Sequence, residues 1–233
     1  MSVAVIPGDP PIEVHLRRSA RARRISLKVG RVDGRVTLSM PARGSLDEAL
    51  AFAKGHEGWI RNALPKRDLD DLVPRIGGAI PFLGTETLLA SGVKRGVVFR
   101  DGVLTVGGPP ERLGAALAGF LKVEAQARLL EASERHAGAA GLRFTSMALR
   151  DTRSRWGSCS PDGRLMYSWR LVMAPFEVLD YVAAHEVAHL AEMNHGPRFC
   201  AMVRSLCPDY SRRRDWLKRE GTRLQAIDFG TRA

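Results

Sequence analysis

An α+β fold is what the sequence predicts, on three observations. Short apolar alternations broken by Gly, Pro and Asp dominate residues 12–108. An Ala/Leu/Glu/Arg-rich stretch then runs from Glu111 to about Ala140. After it, an alternating segment, RLMYSWRLVM, leads almost directly into a helical one, YVAAHEVAHLAEM. The expected organisation is a β-rich N-terminal lobe with one helix, 12–108, and a second lobe, 109–233, in which the last of these helices packs on a small sheet.

The elements follow in order. Residues 1–11 end in Gly-Asp-Pro-Pro and read as a loose leader. Ile25, Leu27 and Val29 alternate with Ser26 and Lys28, and Val36 and Leu38 resume the alternation after Asp33-Gly34, so a hairpin is expected there. Ser45 with Glu48 three residues on forms a capping box that opens a helix over 45–64, ended by Pro65. Strands are expected at 80–90 and 96–106, and a long helix from Glu111 stopped by Gly141. Residues 143–150 and 164–173 read as strands, with the turn residues of Ser160-Pro161-Asp162-Gly163 before the second. Pro175 opens the next helix, where a missing N–H costs nothing. Two further helices, near 197–206 and 211–224, flank Pro208-Asp209.

Composition bounds the class. The chain of 233 residues is 45% hydrophobic and 26% charged, ordinary for a folded domain and long enough to bury a core without staples. No run approaches the 18 or so apolar residues of a membrane span, and the N-terminus lacks a basic leader followed by an apolar stretch. Three cysteines make no disulfide framework, so a cytoplasmic, reducing compartment is expected. The net charge of +11 is spread along the chain and hints at acidic or nucleic-acid partners without saying anything about fold.

The chemistry sits in His185-Glu186-Val187-Ala188-His189. A helix turns about 100° per residue, so positions four apart differ by only about 40° and both imidazoles can grip one ion. Glu186 lies about 100° from His185, beside the ion, where it can take a proton from water without ligating. His195 comes six positions after His189. On a continuing helix it would face away, about 240° round. Asn194, Gly196 and Pro197 are helix-stopping residues, so the chain can swing His195 back as a third ligand. Tetrahedral zinc, Zn2+, with an open position for water suits such a set. The same spacing occurs in metzincins, but their pattern has Gly where this chain has Glu192, and Met202 lies too close behind His195 for a Met-turn. His15, His56 and His136 are isolated and read as surface or packing residues.

The segments RSRWGSCSPDGRLMYSWRLVMAP, YVAAHEVAHLAEMNHGPRF and CPDYSRRRDWL, with RRSARARRISLKV and Gly58-Trp59-Ile60 further upstream, resemble the YgjP-like family of metallopeptidases, related to the SprT-like zincins. The resemblance spans about residues 15–222 and is specific over 150–217. It implies a zincin-like second lobe and a zinc-dependent hydrolase of peptide bonds, with His185, His189 and His195 as ligands and Glu186 as base. A peptide or protein substrate is then the expected partner, its strand lying along the edge of the 164–173 sheet over the metal helix.

Other conspicuous residues read more plainly. Cys159 is expected as a small hairpin residue rather than a nucleophile, and Cys200 and Cys207 as helix packing. Trp156, Tyr167 and Trp169 are expected in the core. Glu177 and Asp180 are possible orienters of a ligand histidine, though helix-surface charge is the better reading. Tyr210 or a nearby Arg is a candidate for stabilising an oxyanion. The arginine clusters at 17–24 and 212–214 are expected to be solvated faces. Two alternatives stay open: a nucleic-acid-associated basic protein, with structural metal or protease action on DNA-bound proteins, and a metal hydrolase of a non-peptide bond.

Overall fold

A computed structural model describes residues 2–30, 34–64, 73–152 and 154–231. The chain divides into two compact units, Met1–Asp68 and Leu69–Ala233. The mixed α+β class matches the expectation from sequence.

The first unit is a four-stranded sheet followed by two helices. Strands β1 (Ser2–Ile6), β2 (Ile12–Ser19), β3 (Ser26–Val29) and β4 (Val36–Pro41) lie in the order β1-β2-β4-β3. β2 runs parallel to β4, and the two outer pairs are antiparallel. Alternation puts Ile12, Val14 and Leu16 of β2 and Val36, Leu38 and Met40 of β4 on the buried face. The leader expected at 1–11 is largely this strand β1. Gly-Asp-Pro-Pro marks the turn after it and not the start of order. Asp33 of the expected turn lies outside the described residues, while Gly34 takes φ +63° and its N–H donates to the Gly30 carbonyl. The helix expected over 45–64 is two, α1 (Leu46–Gly55) and α2 (Glu57–Ala63). Ser45 caps α1 by accepting from the Glu48 N–H at 3.4 Å. His56 breaks the run, with its Nδ1 2.8 Å from the Phe52 carbonyl.

The second unit opens with another four-stranded sheet, β5 (Ala79–Phe82), β6 (Thr85–Gly92), β7 (Gly96–Arg100) and β8 (Val103–Gly107), ordered β5-β6-β8-β7. The single strand expected at 80–90 is a hairpin, because Leu83-Gly84 forms a tight turn with φ of 50° and 82°. The turn is anchored: the Leu83 and Gly84 N–H groups donate to the carbonyls of Val172 and Met173. A side chain at Gly84 would meet Pro175 at 2.8 Å. The 27-residue helix α3 (Leu113–Ala139) buries Leu117, Leu121, Ala125 and Leu129, a stripe at every fourth position.

The second sheet of this unit has three strands, β9 (Ser146–Arg150), β10 (Gly157–Cys159) and β11 (Arg164–Ser168), in the order β10-β11-β9. The strand expected to continue to 173 stops at Ser168, and Trp169–Met173 winds into a 3-10 turn buried on all sides. Arg170 within it is fully buried and bidentate to Asp151, at 2.6 and 3.2 Å, and donates to the carbonyls of Leu224 and Ile227. Helices α4 (Phe176–Ala188), α5 (Pro197–Leu206) and α6 (Tyr210–Ala226) complete the unit, with α4 packed on β10. The sequence reading divides the chain at 108/109. In the structure Ile80, Phe82, Leu89 and Leu104 of the β5–β8 sheet share one apolar cluster with α3 and α4, so that sheet belongs with the helices. No helix of the described residues is long and apolar enough to cross a membrane.

Candidate metal centre

Helix α4 follows Pro175 and buries Val178, Leu179, Val182 and Ala183, which holds its C-terminal turn against the core. His185 and Glu186 lie in that turn, and His189 is the residue at which the helix ends. The helix expected to run to Met193 therefore stops at Ala188, earlier than the sequence suggested. The chain loops through 190–196, and α5 begins at Pro197 after Gly196. This loop returns His195 to the helix.

The three imidazoles converge. The Nε2 atoms of His185 and His195 are 3.2 Å apart, and one ligand nitrogen from each histidine lies within 4.8 Å of the others. The sequence-predicted triad is thus brought together, with the geometry of a set that can hold one ion. Phe199 of α5 forms the shared wall, its ring centroid 4.9, 4.4 and 4.7 Å from those of His185, His189 and His195. His189 Nδ1 sits 3.1 Å from the Glu192 carbonyl. Donation of Nδ1–H to that oxygen leaves Nε2 as the lone-pair donor. Burial, reinforced by the neighbouring histidines, pushes His185 down to about 4, and burial lowers His189 as well. Both rings are held neutral, the form that ligates metals.

Glu186 is buried, and its Oε2 has no hydrogen-bond partner among the described residues. Burial raises its carboxyl to about 8, with the Arg155 charge acting in the opposite sense. The backbone of β10 lies directly against it: a side chain at Gly157 would fall 2.6 Å from both Glu186 Cγ and Oε1. The glycine of the WGSC segment is therefore required by the carboxylate beneath it. Its flanking residues gave no hint of this in the sequence, because the contact is made across the fold.

The remaining candidates sort clearly. Tyr167 and Trp169 are core residues, the Tyr167 hydroxyl 3.0 Å from Ser133 Oγ, and half-buried Trp156 packs over Gly221. Cys159 is half-buried and burial, then Glu186, pushes its thiol up to about 11, unsuited to nucleophilic attack at neutral pH. Glu177 is exposed. Asp180 does not reach a ligand histidine. It binds His136 Nε2 at 2.7 Å, Arg213 at 3.0 Å and Arg135, tying α4 to α3 and α6. His136, expected to be incidental, is thus part of the support behind the metal helix. Tyr210 stacks on Tyr181, whose ring is 5.9 Å from that of His185. In the arginine clusters, Arg18 is committed to the carbonyls of Ala42 and Gly44, and Arg213 to Asp180 and Cys207. Phe199, the Glu192 carbonyl and Arg155 are the site neighbours that sequence reasoning missed. The Arg-x-Arg-Trp-Gly run was a visible signal only for the last.

Comparison with curated proteins and with solved structures gave no match. The family model of the YgjP-like metallopeptidase domain matches residues 23–220. That match spans both units and every residue of the site, and on it the chain belongs to the YgjP-like family of metallopeptidases.

Proposed function

We propose that the protein is a zinc-dependent metallopeptidase in which His185, His189 and His195 hold the ion and Glu186 is the general base. The observation that carries this reading is the convergence of three ligand nitrogens within 4.8 Å beside a buried carboxylate with an unpartnered oxygen. Zinc bound there supplies Lewis acidity toward water and the scissile carbonyl. Glu186 takes the proton of the attacking water and delivers it to the leaving amine nitrogen. Its burial favours a carboxyl that cycles between both forms near neutral pH.

β11 is the central strand of its sheet, so the free edges are those of β10 and β9, and β10 is the one packed on α4. A substrate segment pairing along β10 would bring a carbonyl toward Glu186, against which Gly157 lets the β10 backbone pack closely. Arg155, exposed and two residues before β10, is the cation whose field reaches Glu186. It would stabilise the negative charge that develops on the carbonyl oxygen. The three cysteines are unpaired, which suits the reducing cytoplasm expected for the chain.

The test is cleavage of a mixed peptide library by wild type, Glu186→Gln and Arg155→Ala, read by mass spectrometry with metal content measured in parallel. Glu186→Gln should lower turnover by about 10²–10⁴-fold with metal retained. Arg155→Ala should lower kcat by roughly a hundredfold. Unchanged turnover in Glu186→Gln removes the mechanism, and an effect of Arg155→Ala on KM alone removes Arg155 from the oxyanion role.

A further inference from the structure

A second concave site lies in the Leu69–Ala233 unit, well away from the histidines. It is a cavity of about 690 Å³ where residues 74–76, the β6–β7 connection and the start of α3 meet. That volume is within the range of ligand pockets. Roughly 30 Å of helix α3 separates it from the His136–Asp180 contact behind the metal helix, at about 1.5 Å per residue.

Its charge is one-sided. Arg75, Arg95 and Arg112 line it from three separate segments, and among the described residues no Asp or Glu does. None of the three guanidinium groups makes a hydrogen bond or ion pair with another described residue, although the backbones of Arg75 and Arg112 bond to Gly78 and Pro109. Like charges gathered around one cavity repel. Arg112 adds to the imbalance. It occupies the N-cap of α3, where a side chain that accepts hydrogen bonds is normally favoured, and the first turn of α3 carries no acidic residue. A cation there opposes the positive end of the helix, a cost that a bound anion reverses. Apart from Ser91 and glycine backbone, the rest of the lining is apolar, chiefly Ile76, Val106, Leu113 and prolines, with Ile76 about half exposed. Gly108 adds a stretch of bare backbone: its φ is +129° and the space beside its Cα is open.

We propose that this cavity is a binding site for a small amphipathic organic anion, a carboxylate or phosphate on an apolar body. The arginines hold the head group through charge-assisted hydrogen bonds. Ile76, Val106 and the prolines cover the apolar part. The site is independent of the metal centre and is tested without reference to hydrolysis.

The experiment is calorimetric titration of the full chain with hexyl phosphate, hexanoate and hexanol. The two anions should bind at one site per chain, weakening as salt is raised, and hexanol should bind at least about tenfold more weakly. The tighter anion identifies the head group. Arg75→Ala/Arg112→Ala should weaken anion binding by about tenfold or more. Ala116→Trp, which fills the cavity without touching a charge, should abolish binding while circular dichroism stays unchanged. Equal affinity for hexanol, or anion binding undiminished in either variant, overturns the proposal.

Discussion

The two units contain sheets of one connectivity, β1-β2-β4-β3 and β5-β6-β8-β7, and bury different chemistry. The first unit has an aliphatic core in which Val14, Leu38 and Ile60 are almost wholly buried. All the buried polar and charged side chains among the described residues belong to the second unit, among them Ser133, His136, Arg170 and Glu186. Apolar burial is enough to hold the first unit together. The second buries an acid, Glu186, and an imidazole, His136, and buried polar groups are tolerated only where partners compensate. Arg170 and Asp180 provide such partners on the two sides of α4. Arg170 ties the turn before α4 to the end of α6, and Asp180 ties α4 itself to α3 and α6. Glu186 is left with one carboxylate oxygen without a partner among the described residues, as are the Ser168 hydroxyl and the Trp169 indole N–H. A group kept poorly solvated is one held ready to react.

That contrast can be broken by mutation, with effects of decreasing size. Arg170→Ala removes two bonds to Asp151 and two to backbone carbonyls in a fully buried site. It should cost about 3–5 kcal/mol in urea denaturation. Arg170→Lys should not restore stability, because an ammonium cannot reproduce the fork. A loss below about 1 kcal/mol would mean that the network contributes little.

Leu38→Ala in the first unit should cost about 3 kcal/mol by the lost burial and the cavity left behind. The contrast between the units predicts that this variant keeps the metal stoichiometry of wild type. Loss of metal along with stability would show that the site depends on the aliphatic core as well.

Asp180→Asn should cost about 2 kcal/mol near neutral pH. Burial acts to raise the Asp180 carboxyl, but the hydrogen bond from His136 and the charges of His136 and Arg135 outweigh it and hold the group below the usual carboxylate range. The folded pKa is thus below the unfolded value of about 3.9, so the stabilisation is complete above that pH and is lost as pH falls through the folded pKa. Denaturation midpoints taken from pH 7 to pH 2 should converge for the two proteins in acid. A constant difference across that range would show that the carboxylate charge is not what matters.

Much of the site was legible in the sequence because it depends on helical spacing. The four-residue step from His185 to His189 and the stop residues around His195 carry geometric meaning without any tertiary information. Ser45 and Glu48 marked the start of α1 for the same reason. What stayed illegible is set by contacts across the fold. Leu83 takes a left-handed conformation that its side chain does not advertise, so the β5–β6 hairpin read as one strand. Trp169–Met173 is apolar on every face, which fits a buried strand and a buried 3-10 turn equally well. Strand β1 precedes a Pro-Pro pair, and its exposed Val3 and Val5 alternate with better-covered neighbours only once β2 is in place. The role of Asp180 needed α3 and α6 to be positioned first, since its partners lie at least 33 residues away in sequence.

The central claim is that three histidines from one helix end and its following loop form a single metal site. Metal analysis of purified wild type beside His195→Ala tests it most directly, with circular dichroism to verify the fold. Wild type should carry one zinc per chain, and His195→Ala should lose it with the fold intact. Equal metal in the two proteins would contradict it.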